Sequence, residues 1–560
     1  MVGPARAGER NGRRALIEQL LADGMNVMYG NPGTVEQGWL DALEDYPDFR
    51  YVLTLQETIA VAMGDAHARS SKRPTAVQLH SGVGLGNGVG MLYQAYRGHA
   101  PLVVLAGEAG VKYDSMDAQM AADLVSIAKP VTKWATRVLD PRSLLRVLRR
   151  AIKIAGTAPM GPVFVALPAD VLDAANDEPV RPTLIPSVAS APSAAEVEQA
   201  AGLLQGAKQP LVIMGDGVAT SGAQAELVAV AEKLGAEVWG SDHSEVNIPF
   251  DHPLYRGSLG HMFGAASERV VADADAVLIV GTYVFPEVFP LLGEVFARDA
   301  RIVHVDLDAY EIAKNHRVDL GLVADPKPTL AALAAALAPD DAASARLESA
   351  RERAQQERDA ALARDAALAD ATPLHPSRFM AALAAQAPDD VMVFDEALTV
   401  SPDVTRYLVP RHHGHFFQTR GGSLGVGVPG AIALKLAHPE KTVVGFSGDG
   451  GSMYTIQALW TAAHHDIGAK IVICNNQSYM LLKLNILQYW KEQVGEPARD
   501  FPKSFDLAPP VIDFAALAES LGVPGRRVSH PDEVDAAVAE MLAHDGPFLI
   551  DLAIDSAVPT

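Results

Sequence analysis

One stretch constrains the fold more than any other: Val443-Val444-Gly445-Phe446-Ser447-Gly448-Asp449-Gly450-Gly451-Ser452, running on to Cys474-Asn475-Asn476. The opening apolar run reads as a buried strand, and a glycine-rich turn with one carboxylate, Asp449, follows it. Ile456, Leu459, Trp460 and Ala463 recur at helical spacing, which predicts a helix over 454–465. A second apolar run, Ile471-Val472-Ile473-Cys474, ends in the Asn pair. Strand, helix and strand in that order form a right-handed crossover with parallel strands. The glycine turn and the Asn pair then share the carboxyl edge of a sheet, where open α/β sheets bind ligands. Glycines let backbone approach a phosphate, and the oxygens of Asp and Asn suit Mg²⁺, which bridges to phosphate. The stretch therefore predicts a metal-diphosphate site. The bland alternative, a strand-turn-helix with a chance aspartate, leaves the Asn pair unexplained.

Strands and helices alternate along the whole chain. Residues 26–30, 51–55, 75–80, 101–106 and 162–167 read as strands of a first unit, with a glycine-rich run at 81–90 after the third. Thr34-Val35-Glu36-Gln37 has capping-box spacing, with Thr34 as the helix cap. Pro, Ser and Ala over 182–192 mark a linker. A second unit carries strands at 210–214, 237–239, 276–280 and 301–305. Its Gly215-Asp216-Gly217 reads as a strand-to-helix turn only, because no Asn pair follows its next strand. Residues 342–371, rich in Ala, Arg, Glu and Asp, read as a solvated helix. The third unit carries strands at 391–394, 443–446, 471–474 and 548–552. The fold class is α/β, with three doubly wound parallel-sheet domains over 1–185, 193–340 and 372–560.

Composition excludes several classes of function. A net charge of −22 over 560 residues argues against nucleic acid or an anionic membrane as a general partner. The one cysteine, Cys474, permits no internal disulfide and reads as an inert core thiol. No apolar run approaches the roughly 20 residues of a membrane helix. The basic stretch 1–14 has no apolar core behind it and does not read as a secretory signal, so the cytoplasm is the expected compartment.

Gly-Asp-Gly followed one crossover later by Asn-Asn resembles the signature of thiamine-diphosphate (ThDP) enzymes of the pyruvate decarboxylase and acetolactate synthase superfamily. The resemblance covers nearly the whole chain. It is closest to the benzoylformate decarboxylases, through Asn31-Pro32-Gly33-Thr34, Leu55-Gln56-Glu57, Leu79-His80-Ser81 and the run from Tyr454 to Ala463. It implies pyrimidine-binding, central and diphosphate-binding domains in that order. It implies that Asp449, Asn476 and the Ser478 carbonyl hold Mg²⁺, that Gly450 and Gly451 lie along the diphosphate, and that Tyr454 is a further contact there. Leu398 and Thr399 match positions near the diphosphate, although Leu398 stands where a hydroxyl residue is expected. Gly422 matches the carbonyl that meets the aminopyrimidine, and Leu424 the wedge that bends ThDP into a V; plain core is the alternative for Leu424. Glu57 matches the carboxylate that sets the aminopyrimidine tautomer, and His80 a histidine that faces the substrate. Thr34 matches a serine that contacts the substrate carboxylate, and one hydroxyl could serve there and as a helix cap.

Two residues depart from that pattern. Val288, after Val284-Phe285, stands in place of a second active-site histidine. Arg420 stands where small residues are usual and, if it faces the pocket, could hold a carboxylate. His412-His413 and His464-His465 read as surface residues. The expected activity is decarboxylation of a 2-oxo acid with some carboligation; the alternatives are an acetolactate synthase-like carboligase and a non-catalytic protein that kept the fold. Intact Glu57, Asp449 and Asn476 argue against the last. Whether the central domain takes FAD or a nucleotide stays open. The superfamily builds each site between subunits, which implies a homodimer or homotetramer.

Overall fold

The computed structural model describes residues 9–241 and 243–558, so most of the basic N-terminal stretch lies outside the described residues. The chain forms three six-stranded sheets, parallel throughout. The first contains β1 (Val27–Gly30), β2 (Arg50–Leu53), β3 (Thr75–His80), β4 (Leu102–Glu108), β5 (Trp134–Arg137) and β6 (Val163–Pro168), in the order β2-β1-β3-β4-β6-β5. The second contains β7 (Pro210–Met214), β8 (Glu237–Gly240), β9 (Tyr255–Ser258), β10 (Ala276–Val280), β11 (Arg301–Asp306) and β12 (Leu320–Val323), in the order β12-β11-β10-β7-β8-β9. The third contains β13 (Met392–Glu396), β14 (Phe416–Gln418), β15 (Val443–Gly448), β16 (Lys470–Asn475), β17 (Gly525–Val528) and β18 (Phe548–Ala553), in the order β14-β13-β15-β16-β18-β17. The first and third sheets thus share one winding, and the middle sheet has another.

In the first sheet the winding reverses between β1 and β3, and in the third between β13 and β15. Crevices outside these switch points are where doubly wound sheets bind ligands. Asn31-Pro32-Gly33 follows β1 and His80 ends β3; Glu396 ends β13 and Asp449 follows β15. The expected site residues therefore fall at the two switch points.

The expected strands all form. Five further strands, β5, β9, β12, β14 and β17, carry no clear sequence signal, and each is an edge strand that pairs on one side only. An edge strand is covered on fewer sides, so it needs no continuous apolar run. β5 is half-exposed along its whole length, and β9 carries no buried residue. The glycine-rich run forms a helix, Ser81–Arg97, despite glycine's low helix propensity. One of its glycines serves packing directly: a Cβ on Gly84 would sit 2.8 Å from Glu57 Oε1. The helix expected over 454–465 forms shorter, as Ala458–His464, and the glycine turn ahead of it coils into a short helix of its own, Asp449–Ser452. Thr455, in the turn between them, is buried and donates its hydroxyl to the Gly425 carbonyl at 2.7 Å, which anchors that turn.

The first and third domains of one chain share a continuous apolar core. The helix Glu57–Ser71 packs on the helix Gly427–Ala437, with Ala60, Val61, Ala62 and Ala66 fully buried. Small side chains let these helices approach closely. The central domain has its own cores. The helix Asp341–Ala367 is mostly exposed, as its charge pattern predicts. No helix among the described residues is long and apolar enough to cross a membrane.

Candidate functional site

The third-domain half is built on the ends of β13, β15 and β16. Asp449 is 5% exposed; its Oδ1 accepts from Gly450 N at 2.7 Å, and its Oδ2 has no hydrogen-bond partner. Burial pushes its carboxyl up to about 6, against the pull of the backbone amides of Gly450 and of residues 476–478. Asn476 and Ser478 are buried beside it, and Asn476 Oδ1 accepts from Ser478 N at 3.0 Å. The Ser478 carbonyl accepts from Met480 N at 2.8 Å and retains a second lone pair. The two asparagines divide their work: Asn475 donates to Asp551 at 2.9 Å within the core, and Asn476 remains at the edge. A buried carboxylate oxygen without a donor, beside amide and carbonyl oxygens, fits a hard divalent cation.

Around this corner lie the other expected residues. Leu398 has φ 53, a left-handed backbone that leucine rarely adopts and that functional edges tolerate. Thr399 follows in the short turn Leu398–Val400. Gly422 has φ 77, as a glycine-only loop requires, and Leu424 is half-buried, so it is not plain core. Gly450 is buried, and a Cβ there would sit 2.4 Å from Tyr479, so its glycine also serves side-chain packing. Gly451 is buried, yet a Cβ added to it would meet only ordinary van der Waals contacts, which leaves its backbone approachable. Tyr454 is 57% exposed.

The first-domain half contains Glu57, His80 and Thr34. Glu57 is 7% exposed and opens the helix Glu57–Ser71. Asn87 Nδ2 donates to Glu57 Oε2 at 3.0 Å. His80 Nδ1 lies 2.8 Å from Glu36 Oε2. Glu36 is 1% exposed and also accepts from Gly33 N at 3.1 Å and Gly107 N at 2.8 Å. Burial pushes the Glu36 carboxyl up, while the His80 bond and these amides pull it down. An ionised Glu36 carboxylate could only accept, so this contact favours the His80 tautomer with its proton on Nδ1. The ring lies so close to Gly33 that a Cβ there would meet it at 2.0 Å.

Thr34 is exposed and does not cap the helix. That helix, Gln37–Leu43, begins three residues later, and the carboxylate of its N-cap residue Glu36 is turned inward to His80. The capping-box reading of Thr34 and Gln37 therefore does not hold, and the residue of this run with buried partners is Glu36. Asn87 has no sequence signal beyond its place in a glycine-rich run.

Arg420 does not serve the third-domain corner. It is buried, and its Nη1 donates to Asp216 Oδ2 at 2.6 Å. Asp216 also accepts from Ser244 Oγ at 2.6 Å and Asn247 Nδ2 at 2.9 Å. Burial alone would push Asp216 up, but Arg420 and these donors hold it below the usual carboxylate range. The second Gly-Asp-Gly is thus a turn, as expected, and also an anchor between domains. Arg420→Ala is expected to cost about 3–5 kcal/mol, because it strands the Asp216 charge in the interior. Chemical denaturation measures this, and Asp216→Asn in the same chain should recover part of the loss.

His465 is not a surface residue: its Nε2 accepts from Leu53 N at 2.9 Å across the first–third domain contact, and burial lowers its pKa to about 4. Val288 is 55% exposed on a central-domain loop with Phe289 and Leu292. A cavity of about 680 Å³ lies between the first and central domains, lined by Tyr283, Asp306, Lys314 and Arg420. A second, of about 460 Å³, lies beside Ser81, next to His80, with Val35, Met120 and Leu124 in its walls. Among the described residues, no hydrogen bond or ion pair joins Glu57, His80 or Thr34 to Gly422, Leu424, Asp449 or Asn476 within one chain.

Comparison with known proteins matches all three parts. Residues 10–127 match the model of the thiamine pyrophosphate enzyme N-terminal TPP-binding domain, 197–333 that of the central domain, and 400–552 that of the C-terminal TPP-binding domain. The benzoylformate decarboxylase of Pseudomonas aeruginosa is 32% identical, over 97% of this chain and 99% of that one. A probable acetolactate synthase large subunit of Methanocaldococcus jannaschii is 30% identical, over 98% and 92%. Among solved structures, a thiamine diphosphate-dependent 4-hydroxybenzoylformate decarboxylase of Rhodococcus jostii superposes with a TM-score of 0.84 at 28% identity, covering 98% of this chain and 100% of that one.

Proposed function

The chain belongs to the thiamine pyrophosphate enzyme family, and we propose that within it the protein releases CO₂ non-oxidatively from an apolar 2-oxo acid, with Mg²⁺ and with carboligation as a side reaction. The observation that carries the decarboxylase reading is His80, fixed through Nδ1 by buried Glu36 at the edge that also holds Glu57. On this reading residues 1–185, 193–340 and 372–560 are the pyrimidine-binding, central and diphosphate-binding domains.

When bound, ThDP supplies a carbanion nucleophile and then an electron sink. The chain's own residues do the rest. Asp449, Asn476 and the Ser478 carbonyl hold Mg²⁺, and Leu398, Thr399, Gly450, Gly451 and Tyr454 border the diphosphate. Gly422 offers its carbonyl to the aminopyrimidine, and Leu424 supports the bent form. Glu57 holds a proton at the pyrimidine ring nitrogen. Thr34 would bind the substrate carboxylate by its exposed hydroxyl, and His80, once protonated on both ring nitrogens, would supply a proton from Nε2 to the substrate and keep the Nδ1 bond to Glu36. Met480, Leu481 and Leu484, at the start of the helix Met480–Tyr489, give the pocket apolar walls worth about 0.8 kcal/mol per buried methylene of substrate.

The acetolactate synthase-like reading has its own support. Val288, where a second histidine would stand, removes a proton donor, and a slowly protonated intermediate survives to meet a second carbonyl. A panel of 2-oxo acids with ThDP and Mg²⁺, scored for aldehyde and 2-hydroxy ketone, tests the proposal. Aldehyde should dominate without an added acceptor, ketone should appear when aldehyde is supplied, and Val288→His should shift the ratio toward aldehyde. Ketone from the 2-oxo acid alone would favour the ligase, and no CO₂ from any acid would favour a non-catalytic protein.

The separation of the two half-sites within one chain supports assembly of each site from two subunits. The expected species is a homodimer or a homotetramer, in the cytoplasm. Light scattering of the active protein measures this, and a fully active monomer would exclude it.

A further inference from the structure

Glu396 has no role in the reading above, yet it is the best-satisfied carboxylate in the third domain. It ends β13 and is 1% exposed. Its Oε1 accepts from Gly425 N at 2.6 Å, and its Oε2 from Gly427 N at 2.7 Å and Ser447 Oγ at 3.1 Å. All three partners are placed to donate, and they pull the carboxyl down against the burial that pushes it up. A buried charge is costly, and N–H dipoles aimed at both oxygens are what offset it.

The partners lie on two different parts of the cofactor corner. Gly425 and Gly427 close the loop that carries Gly422 and Leu424, and Gly425 N belongs to the residue after Leu424. Ser447 lies on β15, two residues before Asp449. The loop is fitted around the carboxylate: a Cβ on Gly427 would lie 2.9 Å from Glu396 Oε2 and 2.6 Å from the Phe446 carbonyl. Gly425 has φ 87, and its carbonyl is held from the other side by Thr455 Oγ1 at 2.7 Å. The loop is thus clamped at Gly425 from two directions.

We propose that Glu396 is a positioning residue for the cofactor, tying the Leu424 loop to the strand that leads to Asp449 so that the pyrimidine and diphosphate ends of the cradle keep one spacing. The inference rests on the ThDP reading. It also assigns a direction of action: Glu396 works through Leu424 and touches neither substrate nor metal.

Glu396→Gln keeps the side-chain shape but turns one acceptor into a donor that faces a backbone N–H. The loop must then release either Gly425 or Gly427. Calorimetric ThDP affinity with Mg²⁺ present, and the split of kcat from KM for ThDP, are read for Glu396→Gln, Leu424→Ala and the double variant. Each single change should weaken ThDP binding by about tenfold, and the double variant should lose little more than the worse single one, because both remove the same support. Losses that multiply in the double variant, or a Glu396→Gln protein that melts lower but binds ThDP as wild type does, would overturn the proposal and leave Glu396 a structural residue. If Glu396→Gln does not fold, Ser447→Ala carries the test: it frees one of the three bonds, should weaken ThDP binding severalfold, and overturns the proposal if affinity is unchanged. Wild-type protein that binds no ThDP would instead overturn the cofactor reading itself, an outcome set apart by appearing before any substitution is made.

Discussion

Replacing Asp449 by asparagine should stabilise the ligand-free protein slightly while weakening Mg²⁺-dependent ThDP binding by at least about 100-fold. The opposite signs have one cause. Asp449 Oδ2 is buried without a donor, and burial has already raised its carboxyl to about 6. Asparagine keeps an oxygen for Gly450 N, which now bonds Asp449 Oδ1 at 2.7 Å, and removes the buried charge. That relieves a desolvation cost in the ligand-free state. The same change deletes the one carboxylate among the three groups proposed to hold the ion, the others being neutral groups of Asn476 and Ser478. Thermal melts with and without ThDP and Mg²⁺ read both effects. A ligand at 100 times its dissociation constant adds about 2.7 kcal/mol to the wild type, and the variant should lose that increment. If the variant gained the same increment, Asp449 would not hold the ion.

How much of this is legible in the chain depends on how locally each feature is encoded. Strands β7 and β10 match their expected spans residue for residue, because both faces of a central parallel strand are buried and the apolar run has no gaps; β3 matches too, although Gln78 interrupts its run. The edge strands lack that run: β17 is Gly-Arg-Arg-Val, and its register is supplied by pairing with β18. The glycine turn with its Asn pair is legible because ligand geometry demands particular residues at particular spacings. Glu36 and Glu396 are not, because their partners are distant in the chain. Glu36 meets His80 from 44 positions away, and Glu396 meets Gly427 from 31. Arg420 is a further case: its partner Asp216 is 204 positions away in another domain, and only the fold brings them together. A charged residue out of place in a motif signals a partner, but not which one.

The two half-sites make the same point about function. Within one chain the first and third domains are joined by apolar helices, through Ala60, Ala62 and Ala431, and by the Leu53–His465 bond. These contacts use faces other than the switch-point edges. Glu57 and His80 lie at the switch-point edge of one sheet and Asp449 at that of the other, and among the described residues no hydrogen bond or ion pair joins the two groups. A site shared between subunits is implied by the resemblance to the superfamily, whereas the small-residue packing that joins the two domains of one chain carries no motif.

Glu57→Gln should leave ThDP bound within about tenfold of wild type while lowering turnover by about 100- to 10,000-fold, the range of a lost proton-transfer partner. The fold should tolerate the change. Glutamine can still accept from Asn87 Nδ2 through its amide oxygen, in place of the 3.0 Å bond to Glu57 Oε2. The loss of charge at the first turn of the helix Glu57–Ser71 costs about 0.3–1 kcal/mol of dipole interaction. Gly84, which leaves room for the carboxylate at 2.8 Å from a would-be Cβ, leaves the same room for an amide. What glutamine cannot do is hold a mobile proton. Glu57 is 7% exposed, so solvent cannot easily replace it in that role. The loss should therefore fall on kcat and spare the affinity for ThDP. The direct readout is hydrogen–deuterium exchange at the ThDP C2 position by NMR, which should slow with turnover. Exchange at the wild-type rate in Glu57→Gln would remove Glu57 from the proton path and leave it as a helix-start carboxylate held by Asn87.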